Sequence, residues 1–343
     1  METYKVALNS GVNEMTIVEK ELKAPKGSQV LVKIHSCAIC TLEQRMYQGI
    51  IKRYPFAGGH EAAGTVVAVG EKVKSLKAGD KVSARMLTSC GECYHCRSGH
   101  ENKCKTAFIA NIHEGVGGPG GFAEYMLLEA KGLYKMADDL DLEYAALTEP
   151  LACCVHSVNN ADIKLGDDVV VVGNGIMGAF HVQLAKLKGA RVICCEVDKD
   201  RLELAKKMGA DIVINSAETD AVEKVKELTD GRGADVVFCT AALTALAEQS
   251  IQMTGNNGKV VMYSSFPGGE PIELDVNHVH SSEINITGAV NSNTNEFLAA
   301  SRLLSYKMID PSELISEIVP FEKIDYAFKR AIDPKTYRVL VKL

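Results

Sequence analysis

The sequence predicts an α/β protein of two domains, a β-rich barrel-like domain followed by a doubly wound parallel sheet. Three observations lead there. The chain has 343 residues, beyond the roughly 150 of one domain. Short apolar runs separated by turn signals fill the first part, and from about residue 165 buried strands alternate strictly with helices. A glycine-rich turn, Gly173–Gly178, closes the first of those buried strands.

In the first part, Val30–Ile34 and Gly64–Val69 alternate as half-buried strands, and Ala78–Val82 reads as a turn entering another. From Asp139 to about Asn160, Leu140, Ala145, Leu147, Leu151 and Val155 recur at helical spacing. In the second part, strands are expected at Asp168–Val172, Arg191–Val197, Asp211–Ile214, Ala234–Thr240, Gly258–Ser264 and Ile284–Gly288. Helices are expected at Ile176–Lys188 (amphipathic), Asp200–Met208, Ala221–Leu228 and Ala242–Met253. Strands apolar throughout and separated by helices mean a parallel sheet covered on both faces. No linker-like segment separates the two parts, so packed elements are expected to join them.

Composition narrows the function. With 46% hydrophobic and 24% charged residues the chain is neither disordered, collagenous nor a coiled coil. A net charge of −6 without a basic block argues against a nucleic-acid partner. The N-terminus has no apolar signal region, and the most apolar stretch, Val236–Ala247, is too short to span a bilayer. No membrane partner is expected, and the cytoplasm is the expected location. Eleven cysteines in that reducing compartment point to metal ligands and buried thiols.

Gly173, Gly175 and Gly178 spell G-x-G-x-x-G at the end of a buried strand and the start of a helix. That context gives the motif its meaning: a tight turn, close backbone approach to a pyrophosphate, and free N–H groups at Ile176 and Met177. Glu196 follows Gly178 by 18 residues, near the end of the next strand. There a carboxylate accepts from ribose hydroxyls and repels a 2′-phosphate, which selects NAD. Lys199 and Arg201, close by, soften that preference or simply begin a helix.

Cys90, Cys93, Cys96 and Cys104 fall within 15 residues, enough to wrap one tetrahedral zinc with no open position, a structural site in a lobe at about 88–106. His95 and His100 read as exposed residues of that lobe. Cys40, His60 with Glu61, and Glu149 are scattered, yet one thiolate, one imidazole and one or two carboxylates suit a zinc with an exchangeable position. Singly, each also reads as a buried thiol, a loop histidine or a helix-start acid.

The combination resembles the zinc-containing medium-chain dehydrogenase/reductase family, particularly its sorbitol (polyol) dehydrogenase branch. The resemblance runs over essentially the whole chain. It rests on Cys40, Gly59-His60-Glu61 with Gly64, the four-cysteine lobe, Gly120–Tyr125, Glu149-Pro150-Leu151 and Gly173–Gly178. It implies a GroES-like catalytic domain from residues 1–152 and 290–343, with a Rossmann domain, 153–289, inserted between. It implies two zinc ions per chain and NAD, and a small-molecule alcohol as substrate: a polyol, sugar alcohol or sugar derivative. It implies that Cys40 and His60 bind the catalytic zinc, that Glu61 is a supporting or switching carboxylate, and that Glu149 is a ligand or holds the zinc-bound water. Homo-oligomers, dimer or tetramer, are common among such enzymes. Cys37 is expected to be a packed strand thiol, and Cys153, Cys154, Cys194, Cys195 and Cys239 buried core residues. His156 is expected in the core or behind the ligands.

Two positions depart from the family pattern. Leu42 stands where family members carry Ser or Thr, and Arg45 where many carry His. The usual hydroxyl-to-imidazole proton path is therefore absent as spelled; Thr41, Glu149 or a water near Glu61 must serve. Arg45 suits an anion, the NAD pyrophosphate or an acidic substrate, or else pairs with Glu43 or another acid. Two other functions compete with a dehydrogenase: a redox-neutral epimerase or lyase that uses NAD transiently, and a sensor that binds NAD or sugar without turnover. Net NADH formation separates the dehydrogenase from the redox-neutral reading.

Overall fold

The structure, a computed structural model, describes residues 2–105, 112–113, 115–266, 268 and 270–343, with backbone alone at 112 and 113. Position 106, at the end of the lobe, lies outside the described residues. The chain forms two units, Met1–Ala152 with Ser292–Leu343, and Cys153–Asn291.

The first unit is built around β3 (Gln29–Ala38), whose Val30, Val32, Ile34 and Cys37 are fully covered. Before it come the hairpin strands β1 (Thr3–Gly11) and β2 (Glu14–Glu21). After it come α1 (Thr41–Tyr47), β4 (Glu61–Val69), β5 (Lys81–Arg85) and the short α2 (Tyr94–Arg97) among the lobe cysteines. Next are the paired β6 (Ile112–His113) and β7 (Val116–Gly117), then β8 (Tyr125–Glu129), β9 (Leu133–Lys135) and α3 (Leu142–Ala145). The helix α4 (Thr148–Ala161) begins in this unit and continues into the other.

The second unit alternates β10 (Asp168–Val172), α5 (Ile176–Leu187), β11 (Arg191–Glu196), α6 (Lys199–Lys207), β12 (Ile212–Asn215) and α7 (Ala221–Leu228). It continues through β13 (Ala234–Cys239), α8 (Thr244–Met253), β14 (Thr254–Met262), α9 (Val276–Ser282) and β15 (Asn285–Gly288). The chain returns to the first unit as α10 (Thr294–Ser305), β16 (Ile315–Pro320), α11 (Ile324–Ala331) and β17 (Arg338–Lys342).

Among the described residues the large sheet of the first unit runs β16-β17-β3-β4-β5-β9, with β8 also on β3. Its pairs are antiparallel except β16–β17. The last strand thus lies beside β3, with Val341 opposite Cys37. Tyr47, Phe122 and Phe328 stack in the core beneath it, ring centroids 5.2 and 5.5 Å apart. The second sheet is parallel in the order β12-β11-β10-β13-β14-β15. The order reverses between β10 and β13, and ligands of such sheets bind at the carboxyl ends of the strands there.

Three expectations need correction. The helix expected over 139–160 is two, α3 and α4, with Pro150 in the first turn of α4, where its missing N–H costs nothing. The α5 helix is not amphipathic over most of its length: Ile176 and Gly178–Ala185 are all buried. The strand expected from Gly64 begins at Glu61, so His60 sits at its entrance. No helix among the described residues is long and apolar enough to cross a membrane.

In the second unit His181 is sealed inside α5. Nδ1–H donates to the Met177 carbonyl (2.7 Å), Nε2 accepts from Ser157 Oγ (2.8 Å), and the ring packs on Phe238 and Tyr263. Burial pushes its pKa down to about 4. The unfolded chain, near 6.5, therefore holds a proton that the native state refuses. The neutral ring's contribution is complete above about pH 6.5 and is lost as pH falls towards 4, about 3 kcal/mol in all. Unfolding free energy should fall more steeply between pH 7 and 5 in the wild type than in His181→Gln; equal slopes would contradict this.

Candidate active site and nucleotide turn

Cys40 occupies the N-cap of α1, directly after β3 ends at Ala38. One turn later Glu43 points inwards and is 2% exposed. Its Oε1 accepts from His60 Nδ1–H (2.7 Å) and from the Gly59 N–H (3.0 Å). Burial opposes the charged carboxylate, but His60 and the amide outweigh it and hold Glu43 below the usual carboxyl range. A carboxylate on Nδ1 fixes the tautomer and leaves the Nε2 lone pair to face a metal. Gly59 is required at this point: its φ is +95°, and a Cβ would lie 2.6 Å from the Phe122 nitrogen and 2.9 Å from Cys37 Sγ.

Cys40, Glu43 and His60 offer ligand atoms within 4.8 Å of one another, and so do His60, Glu61 and Glu149. Both Glu61 oxygens are taken by Arg338, Nε to Oε2 at 2.9 Å and Nη2 to Oε1 at 2.5 Å, with the two side chains 0% and 5% exposed. Burial disfavours the guanidinium charge, yet Glu61 and Cys40 raise the Arg338 pKa. The site is thus a half-buried sulfur, a nitrogen and carboxylate oxygens with a fixed cation behind them. That donor set suits zinc with fewer than four protein ligands.

In the lobe, Sγ–Sγ separations are 3.5 Å (Cys93–Cys96), 3.7 Å (Cys90–Cys104) and 3.8 Å (Cys90–Cys96). Four sulfurs each about 2.3 Å from one ion at tetrahedral angles stand about 3.8 Å apart. The N–H groups of Glu92 and Cys93 lower the Cys90 pKa, whereas burial pushes Cys96 up to about 12. A divalent ion would deprotonate all four. This donor set also fits zinc, in a closed site.

In the second unit the Gly173–Gly178 turn lies at the end of β10, at the point of strand-order reversal. A Cβ on Gly178 would sit 2.0 Å from the Gly173 carbonyl oxygen, so close helix–strand packing requires glycine. A Cβ on Gly175 would meet no protein atom within 4 Å, leaving open space over the α5 N-terminus for a pyrophosphate. Glu196 Oε2 accepts from the Asn174 N–H (2.8 Å), and Oε1 from the N–H groups of Val197 and Asp198. Sequence reasoning missed two supports here. Asn174 Nδ2 donates to the Arg201 carbonyl (2.7 Å), and Thr240 Oγ1 to the carbonyls of Val172 and Gly173. Glu43 and Arg338 were missed in the first unit.

Thr41 is exposed and Arg45 half-buried, one helical turn apart on α1. Arg45 does not pair with Glu43, whose second oxygen has no hydrogen-bond partner. Cys37, Cys153, Cys154, Cys194, Cys195 and Cys239 are buried and sit in no disulfide. His156 is 8% exposed, with Nε2 3.3 Å from Asn160 Nδ2.

Residues 26–138 match the alcohol dehydrogenase GroES-like domain and residues 177–306 the zinc-binding dehydrogenase domain. A sorbitol dehydrogenase of Halalkalibacterium halodurans is 32% identical over 98% of both chains. A D-arabitol-phosphate dehydrogenase of Enterococcus avium is 29% identical over 97% of this chain and 95% of its own. A Sinorhizobium meliloti 1021 structure, assigned as a zinc-binding dehydrogenase and bound to NADP, superposes with a TM-score of 0.92 at 28% identity, covering 100% of each chain. The chain therefore belongs to the zinc-containing medium-chain dehydrogenase family, in its polyol-like branch, and is an oxidoreductase of alcohols that works with zinc and a nicotinamide cofactor.

Proposed function

We propose that the protein oxidises the secondary hydroxyl of a polyol or sugar derivative with NAD, using a zinc held by Cys40, His60 and Glu149. The observation that carries this reading is the pairing pattern around the cluster. Glu61 has both oxygens on Arg338, and His60 has Nδ1 on Glu43, so His60 Nε2 is turned towards an ion, with Cys40 in one donor group with His60 and Glu149 in another. When bound, zinc supplies Lewis-acid stabilisation of the substrate oxygen, and the nicotinamide accepts hydride. The protein's own part is to fix these ligands, keep a balancing cation at Arg338, and move the hydroxyl proton. Leu42 cannot carry that proton, which leaves Thr41, Glu149 or a water near Glu61 to pass it outwards. Cys90, Cys93, Cys96 and Cys104 hold a second, structural zinc.

NAD preference rests on Glu196. A 2′-phosphate about 4 Å from this carboxylate would be repelled by up to roughly 4 kcal/mol at an effective dielectric near 20. The wild type should therefore favour NAD in kcat/KM, by up to about a thousandfold, and Glu196→Ala should gain with NADP. Comparable kcat/KM for both cofactors in the wild type would refute this. The E. avium relative's phosphorylated substrate and the position of Arg45 on the helix that carries Cys40 support an anionic polyol. The deciding experiment is an NADH-absorbance screen of polyols, sugar phosphates and acids with the wild type and Arg45→Gln. The reading expects net NADH from at least one polyol or polyol phosphate. A KM rise beyond about threefold in Arg45→Gln, confined to the anionic substrate, marks an anion site. No net NADH from any secondary alcohol would overturn the dehydrogenase reading.

A further inference from the structure

Among the described residues, the lobe is fastened to the segment on which the chain re-enters the first unit. The second unit ends at Asn291, a non-glycine residue with φ of +57°, and the first resumes at Ser292. The next residues are held by the lobe and its root. The Ser292 carbonyl accepts from Arg85 Nη2 (3.2 Å), at the end of β5. Asn293 Oδ1 accepts from the Asn102 N–H (3.0 Å), two residues before the ligand-bearing Cys104. Thr294 Oγ1 donates to Glu101 Oε2, and that carboxylate also lies 3.5 Å from Arg85 Nη2. The Thr294 carbonyl accepts from Tyr134 OH (3.3 Å), whose ring packs on Phe297.

Asn293 is also the N-cap of α10. Its side chain accepts from the Glu296 N–H, and Glu296 reaches back to the Asn293 N–H at 2.6 Å. One amide oxygen therefore serves both the first turn of α10 and the backbone of the lobe. The lobe has little core of its own: Cys90 is exposed, Cys93 and Cys96 are half-buried, and α2 buries no residue. An ion on the four sulfurs would thus be what keeps the backbone at 101–102 in place to hold Asn293.

We propose that the four-cysteine lobe is a metal-dependent latch on the re-entry segment Ser292–Glu296, acting through Asn293 and Glu101, so that lobe metal and the start of α10 stabilise each other. Coupling of this kind is reciprocal. Losing the metal loosens α10, and cutting the latch loosens the metal.

The inference rests on zinc occupying the lobe, and a zinc count made first tests that separately. A Cys40→Ser chain holding no zinc would overturn the lobe assignment and the latch with it. With one zinc per Cys40→Ser chain, release of that ion to a chromogenic chelator reads the lobe alone. Adding Asn293→Ala should speed release at least about fivefold. Asn293→Asp, which keeps an acceptor oxygen, should stay within about twofold. Lys307→Ala, which removes the Asp139 ion pair beyond the far end of α10, should change nothing. In the same chain, stripping the zinc should raise hydrogen exchange at 294–300. The latch is overturned if Asn293→Ala releases zinc at the parent rate, if Lys307→Ala speeds release as much, or if stripping leaves exchange at 294–300 unchanged.

Discussion

Replacing Cys40 with serine is expected to lower kcat/KM by about 10⁴-fold or more while the protein stays folded and keeps its lobe zinc. A drop of that size is roughly 5.5 kcal/mol of transition-state stabilisation. It is a modest share of what a zinc that shifts a bound water's pKa from 15.7 to about 7 can provide. Cys40 caps α1 through its backbone conformation, and its side chain makes no capping hydrogen bond. Serine therefore removes a soft ligand at little structural cost. The measurement is steady-state NADH formation beside thermal unfolding. Activity above a few per cent of wild type would remove Cys40 from the metal site. Glu43→Gln should act on the same site more gently. It keeps an acceptor but loses the charge that orients His60, a change that typically costs 10- to 100-fold in metal affinity or activity.

The largest stability effect is expected at Arg338. Arg338→Met leaves Glu61, 0% exposed, with neither oxygen matched by its bidentate partner. Breaking a buried pair from one side costs about 3–5 kcal/mol. The double variant Arg338→Met/Glu61→Gln removes the stranded charge and should recover part of that loss. Denaturant unfolding of the two variants against the wild type measures it. A single variant within 1 kcal/mol of wild type would show that the pair contributes little to stability.

What the sequence made legible was mostly local. The central strands β10, β11 and β13 of the second unit are largely apolar runs, and α7 has the predicted limits, Ala221–Leu228, because its Asp220 cap and apolar spacing both lie within ten residues. The glycine turn and the lobe cysteines are likewise short-range spellings. The partners that complete the site are not. Glu43 reads as an ordinary helix-start acid until the fold brings His60 to it from 17 residues away. Arg338 meets Glu61 across 277 residues, through the pairing of β17 with β3 and of β3 with β4. No periodicity in the C-terminal segment announces that pairing. Asn174 and Thr240 were overlooked for a different reason. The turn motif specifies its glycines, whereas its supports depend on which carbonyls the neighbouring elements present.

The central claim is that one chain carries two zinc ions with different tasks, one in the closed sulfur lobe and one at Cys40, His60 and Glu149. Zinc content per chain, measured by mass spectrometry of metals after exhaustive buffer exchange, tests it most directly. The account predicts two zinc ions in the wild type, one in an inactive Cys40→Ser, and one in a less stable Cys93→Ser. A wild type with one zinc or none, or a Cys40→Ser that retains two, would contradict it.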